Sequence, residues 1–168
     1  MQTNAQNKPQ IQLKSAPAVS KEVNPLLDKW NTPFQTPPFN SISPKHYEPA
    51  FAAAIKMAKE DIENIKNNPE TPDFRNTIIA LDQSGEMLNR IAGIFFNLLE
   101  CDATDEMQSI ANKVQPTLTQ YSNSIYLDTT LFNRVKYVYE HEFKSLQGAE
   151  KILLQKTYDA FLDNGANL

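Results

Sequence analysis

Apolar side chains recur along most of this chain at spacings of three and four residues, the period of a helix with one buried face. Phe51, Ile55, Ala58, Ile62 and Ile65 mark a first face, closed by Asn67-Asn68-Pro69. Ser43-Pro44 supplies a cap and first-turn pair ahead of it, and Pro49 is expected to restart the helix a few residues later. The break over 69–72 is short, which predicts an antiparallel neighbour. Phe74, Ile78, Leu81, Gly85, Leu88, Ala92, Phe95 and Leu99 then predict one long second helix. Ile91, Ile94, Phe96 and Leu98 add apolar side chains on its other faces, so it is expected to be central and buried on several sides. Gly85 and Gly93 are expected to let a neighbouring backbone approach it closely.

A third helix is predicted after Asp102 or Thr104, with Met107, Ile110, Val114, Leu118, Tyr121 and Ile125 on its face and a kink at Pro116. Asp128 caps a fourth, carrying Leu131, Val135, Val138 and Phe143. The fifth covers about 149–162, with Ile152, Leu153, Tyr158 and Phe161, and Asn164-Gly165 stops it. No stretch alternates as a strand and no repeat recurs. The fold class is all-α, a bundle of about five antiparallel helices.

Residues 24–51 break this pattern. They read NPLLDKWNTPFQTPPFNSISPKHYEPAF, with six prolines alternating with five aromatics (Trp30, Phe34, Phe39, Tyr47, Phe51). Proline lacks a donor and clashes with the preceding turn, which excludes a helix through the segment. Five rings left in water would forgo much burial energy, so a solvated linker is excluded too. The expectation is an extended strap with its rings pressed onto the helical body. Ahead of it, residues 1–23 are rich in Gln, Asn, Lys, Ala, Ser and Pro and read as a disordered leader. The domain division is therefore 1–23 leader and 24–168 helical segment.

At 168 residues and 40 % hydrophobic composition, the chain suffices for one domain with a substantial core. A net charge of −4 without a Lys/Arg cluster argues against nucleic acid and against anionic membranes as partners. The run over 91–99 is interrupted by Asn97 and too short for a membrane span. The leader has no apolar h-region, so it is not an intact secretory signal. A soluble protein of the cytoplasm or periplasm is expected.

Candidate chemistry is sparse. Cys101 is the lone cysteine, which excludes an internal disulfide and reads as a small residue near a helix end. His141-Glu142 opens like the His-Glu-x-x-His of zinc peptidases, but the fourth residue after His141 is Ser145, so the second ligand is missing. The pair is read as solvated. His46, the other histidine, is read as capping or packing near the first helix. Glu60-Asp61, Asp105-Glu106 and Glu140/Glu142 read as water-facing acids. Tyr121, Tyr126, Tyr137, Tyr139 and Tyr158 read as core aromatics. No glycine-rich phosphate loop is present.

Strings of residues carry more than any constellation does. NPLL…W…TPF…PPF…HY.PAF over 24–51 is followed by Asn68-Pro69-Glu70, Pro72-Asp73-Phe74-Arg75-Asn76-Thr77-Ile78 and Phe95-Phe96-Asn97-Leu98. Ile125-Tyr126-Leu127, Leu131-Phe132, Lys156-Thr157-Tyr158 and Asn164-Gly165-Ala166-Asn167-Leu168 complete the order. Together they resemble the N-terminal portion of the oligopeptidase A and dipeptidyl carboxypeptidase branch of the thimet-oligopeptidase family, closest to the dipeptidyl carboxypeptidases. The resemblance implies an almost wholly helical zinc metallopeptidase of two halves around a deep channel. Its members cut short peptides, and the dipeptidyl carboxypeptidases release C-terminal dipeptides. The family's His-Glu-x-x-His helix and further glutamate lie in the C-terminal part of a much longer protein, at positions absent here. Catalytic, cofactor-binding and metal-ligating residues are accordingly expected to be none in this chain. Zinc is expected in the parent enzyme and not here, and the segment is expected to wall the channel. The implied partners are short peptides and the missing C-terminal catalytic part. The chain then reads as an expressed fragment or truncated product, inactive alone, with an exposed apolar patch that favours self-association. The rival readings are a stand-alone helical interaction module without enzymatic activity and a purely structural fragment.

Overall fold

Four of the five expected helices form with the ends that their sequences advertise. The computed structural model describes residues 23–166, so the leader expected over 1–23 lies outside the described residues but for Val23, as does the closing Asn167-Leu168. Helix α1 is Tyr47–Lys66, and Pro49 sits in its first turn, where no intrahelical donor is needed, so the helix runs through it without restarting. Helix α4, Asp105–Tyr126, is capped by Thr104 Oγ1 on the Met107 N–H (3.2 Å) and is one element through Pro116. Helix α5, Thr129–Glu142, is capped by Asp128 Oδ1 on the Leu131 N–H (2.9 Å). Helix α6, Gly148–Asp163, ends in paired bonds from Gly165 N to Leu162 O and from Ala166 N to Phe161 O, with Gly165 at φ 90°.

The second helix is not one helix. Phe74–Ile79 is a π-helical turn, Ala80–Gln83 is a single α-helical turn (α2), and the long element α3 is Glu86–Cys101. Ser84 is extended, and Gly85, at φ 67°, makes the corner. A Cβ on Gly85 would lie 3.4 Å from Ala58 Cβ and 3.6 Å from the Tyr121 hydroxyl, ordinary side-chain contacts rather than the close backbone approach expected there. Gly93 has nothing within 4 Å of where its Cβ would be, so the approach expected there does not occur. On α3 only Leu88, Ile91 and Phe95 are buried, against the expectation of burial on several sides.

Helix α1 runs antiparallel to residues 74–101 and is shared by two cores. In the first, Tyr47, Phe51 and Ala58 of α1 meet Leu88, Ile91 and Phe95 of α3 and Met107, Ala111 and Val114 of α4. Phe51 and Phe95 stand edge to face at 5.4 Å. In the second, Ile62 and Ile65 meet Phe74, Ile78, Leu131, Val135, Val138, Leu154 and Phe161. Ile152, expected on the buried face of α6, is 57 % exposed, and Leu154 holds the central place instead. Among the described residues no strand forms.

The strap departs most from expectation. It folds into short 3₁₀ turns at Pro33–Gln35, Phe39–Ser41 and Pro44–His46 rather than lying extended. Phe34 is 99 % exposed and Phe39 mostly exposed, whereas Tyr47 and Phe51 are buried but belong to α1. The anchor is Leu26, fully buried in the first core. Asn24 secures it with an Nδ2 bond to His46 O (2.8 Å), and Arg90 donates to Leu26 O (2.9 Å) and Asp28 O (3.1 Å) while stacking on Trp30.

Candidate functional site

The corner before α3 borders an open groove with polar groups in its walls. This groove lies between α3, α4 and α6, with Ser84 and Gly85 of the corner among its lining residues. The groove has a volume of about 490 Å³ and is lined by Leu88 and Ala92 of α3, Tyr121 and Ile125 of α4, and Lys156 and Phe161 of α6. The corner itself is held from α1, where Asp61 Oδ2 accepts from the Gly85 N–H at 3.2 Å. Burial raises the Tyr121 phenol above its ordinary pKa, and the Asp61 carboxylate pushes it the same way, so the hydroxyl stays protonated. The walls combine apolar side chains with the Lys156 ammonium, the Asp82 carboxylate and the phenols of Tyr121 and Tyr126, which suits apolar packing with polar handles.

The residues weighed for chemistry are scattered rather than assembled. His141 stacks on Tyr137 at 3.9 Å and donates from Nδ1 to Tyr137 O (2.8 Å). Glu142 is not a solvated member of that pair, because its Oε2 accepts from the Phe74 N–H at 3.3 Å and so ties α5 to the π turn. His46 caps as expected: Nδ1 accepts from the Ser43 N–H at 3.0 Å. Glu60 faces Lys56, and Glu140 faces Lys136, each at 3.9 Å on the surface. Asp61, by contrast, holds the α3 corner. Asp105 and Glu106 occupy the exposed first turn of α4, and Cys101 is exposed at the end of α3.

Of the tyrosines, Tyr139 and Tyr158 stack at 4.1 Å and Tyr126 meets Phe161 at 5.3 Å, as core aromatics do. Tyr121 borders the groove, and Tyr126 lines it as well. Zinc does not fit the residues described. His46 has committed one ring nitrogen to a cap, His141 lies on another element, and no group of three His, Cys, Asp or Glu converges among the described residues. Nor is any described helix long and apolar enough to cross a membrane.

The side chains that organise the structure around these positions were missed in the sequence, and they explain the strings. In Pro72-Asp73-Phe74-Arg75-Asn76-Thr77-Ile78, Asp73 and Asn76 cap each other, with Asn76 N to Asp73 Oδ1 at 2.6 Å and Asp73 N to Asn76 Oδ1 at 3.0 Å. Arg134, nearly buried on α5, donates to Asn76 Oδ1 (3.2 Å) and to Asn68 O (2.9 Å). Lys66 bridges Asp128 at 2.8 Å and Glu63 at 2.7 Å where α1 meets the α4–α5 corner. The Asp128 bond, with that to Glu63, raises the Lys66 pKa over the lowering effect of burial. For Asp128, burial is the largest influence and pushes upward, but Lys66 and the Leu131 and Thr130 N–H groups outweigh it and hold the carboxyl low. One signal was available for these latches: charged or amide residues beside a cap.

No protein-family model matches the chain. Over 146 residues it is 37 % identical to the dipeptidyl carboxypeptidase of Salmonella typhimurium, an alignment covering 86 % of this chain and 22 % of that enzyme. The dipeptidyl carboxypeptidase of Escherichia coli is 35 % identical over 147 residues, covering 87 % of the chain and 22 % of the enzyme. Oligopeptidase A of Escherichia coli is 29 % identical over 99 residues, or 59 % of the chain and 14 % of that protein. The chain thus spans only a minor part of the length of the relatives it matches.

Proposed function

Because the chain belongs to the thimet-oligopeptidase family, matching the N-terminal stretch of its dipeptidyl carboxypeptidases and oligopeptidases A, we propose that it is the N-terminal helical part of a zinc-dependent peptidyl-dipeptidase. The observation that carries this reading is the 37 % identity to a dipeptidyl carboxypeptidase across 86 % of the chain. The lower identity and shorter reach of the oligopeptidase A match favour dipeptide release over internal cleavage. In this reading the segment is a wall of the substrate channel. The metal and the groups that activate water come from polypeptide beyond the matched stretch. The aligned strings contribute latches instead: the Asn24–Leu26 anchor, the Asp73–Asn76 knot and the Gly165 stop.

The test is to read the encoding gene past the Leu168 codon and assay its product. We expect a His-Glu-x-x-His downstream and zinc-dependent release of C-terminal dipeptides from N-blocked peptides. The 168-residue chain alone is expected to bind no stoichiometric zinc and to release no dipeptide. A stop codon with no downstream peptidase would favour the stand-alone module. Zinc-dependent turnover by the 168-residue chain would overturn the placement of the chemistry elsewhere.

A further inference from the structure

Helix α3 gathers Glu86, Asn89, Arg90, Asn97 and Glu100 on one face and is apolar over the rest, yet only Leu88, Ile91 and Phe95 are buried. Along its groove side, Ala92, Phe96 and Leu99 follow one another at helical spacing and remain half-buried. They extend the wall formed by Leu88 and Tyr121 beyond the groove itself. A helix of this composition is normally covered on more than one side. The groove is open along its length, and the apolar strip outruns it, so the shape suits a polypeptide segment better than an enclosed small molecule.

We propose that the groove between α3, α4 and α6, with its continuation over Phe96 and Leu99, is the seat of polypeptide that follows α6, docked through an apolar helix face. This rests on the reading of the chain as the N-terminal part of a longer peptidase. Two observations select that occupant over a second copy. First, the matched stretch takes in 22 % of each dipeptidyl carboxypeptidase relative, so most of such a protein lies outside it. Secondly, Ala160 and Phe161 line the groove and the α6 stop at Gly165 lies one turn further on, so chain continuing from α6 starts at the groove rim. The α6 stop also turns the backbone out of the helix there, leaving a following segment free to fold back.

The test places a photo-crosslinking phenylalanine analogue at position 92, 122 or 152 of the full-length product of the gene. Ala92 and Ser122 lie on the groove walls, while Ile152 is exposed and outside it. Irradiation is expected to join positions 92 and 122, but not 152, to peptides from sequence after residue 168. In parallel, Ser122→Arg is expected to leave the melting of the 168-residue chain unchanged while lowering the melting midpoint of the full-length protein. Crosslinks between two copies, or none at 92 and 122 in a protein that releases dipeptides, would overturn the docking proposal and leave the peptidase reading standing. A gene with no peptidase sequence after residue 168 would overturn both, and the sequence would show this before any irradiation.

Discussion

Leu26→Ala distinguishes a strap held by its rings from one held by a single leucine. Leu26 is fully buried in the first core, whereas Phe34 is 99 % exposed. Removing a buried leucine side chain to alanine typically costs about 2–5 kcal/mol, transfer and cavity together. The polar ties of this segment all use its backbone or other side chains. Asn24 Nδ2 reaches His46 O, the Trp30 indole reaches Pro25 O at 2.8 Å, and Arg90 reaches Leu26 O. They survive the substitution, which places the expected loss in the lower half of that range, about 3 kcal/mol. The strap is peripheral, so the loss should appear as local detachment rather than global unfolding.

When opening is fast relative to cleavage, proteolysis follows the open population, and about 3 kcal/mol corresponds to roughly a hundredfold faster cutting within residues 28–42. Limited proteolysis followed by mass spectrometry reads this directly. Phe34→Ala should change the same rate by less than about threefold, because it removes no buried area. A Leu26→Ala rate within threefold of wild type, or an equal effect of Phe34→Ala, would refute the anchor.

At the α3 corner, Gly85→Ala should lower stability by about 1–2 kcal/mol, because alanine must adopt a left-handed conformation. Gly93→Ala, in open space within the same helix, should raise it by about 0.5–1 kcal/mol. Urea unfolding followed by circular dichroism checks both, and equal shifts would refute the difference in backbone conformation. Asp128→Asn retains a capping oxygen but removes the charge that Lys66 meets. Because the Asp128 pKa is held low, its contribution is present above about pH 4 and is lost as pH falls through the folded-state value. The raised Lys66 pKa means its own contribution is present below about pH 10 and is lost as pH rises through the folded-state value. The wild-type advantage should thus be about 1 kcal/mol between these limits and vanish in acid. An advantage that grew below pH 4 would contradict the assignment.

Helix ends were legible where the cap lies within three residues of what it caps. Thr104, Asp128 and Gly165 all behave as their local sequence implies. The second helix was misread because Gly85 falls on the apolar stripe, so the periodicity passes through it while the backbone does not. What converts that glycine into a corner is Asp61, 24 residues earlier, and no local pattern shows it. The same holds for Glu142 on the Phe74 N–H and for Arg134 on Asn76, which are 68 and 58 residues apart in the chain. The strap failed differently: aromatic content suggested burial, but proline turns fixed the direction of Phe34 away from the body. Leu26 was overlooked because a lone leucine has no period. The groove could not be read at all, since its walls come from three helices far apart in the sequence and no local pattern places them together.

The division of the buried residues between two clusters sets an order of events during synthesis. All buried members of the first lie between Leu26 and Val114, so that cluster can close early as the polypeptide leaves the ribosome. The second draws Ile62, Ile65, Phe74 and Ile78 from the early part of the chain and Phe161 from the late part. At about 5–20 residues per second, the roughly 50 residues between Val114 and Phe161 take on the order of 2–10 s to emerge. Throughout that interval one half of α1 is already folded into a core while its other half offers two isoleucines to the solvent. The nascent chain is therefore most vulnerable to aggregation just before α5 and α6 arrive.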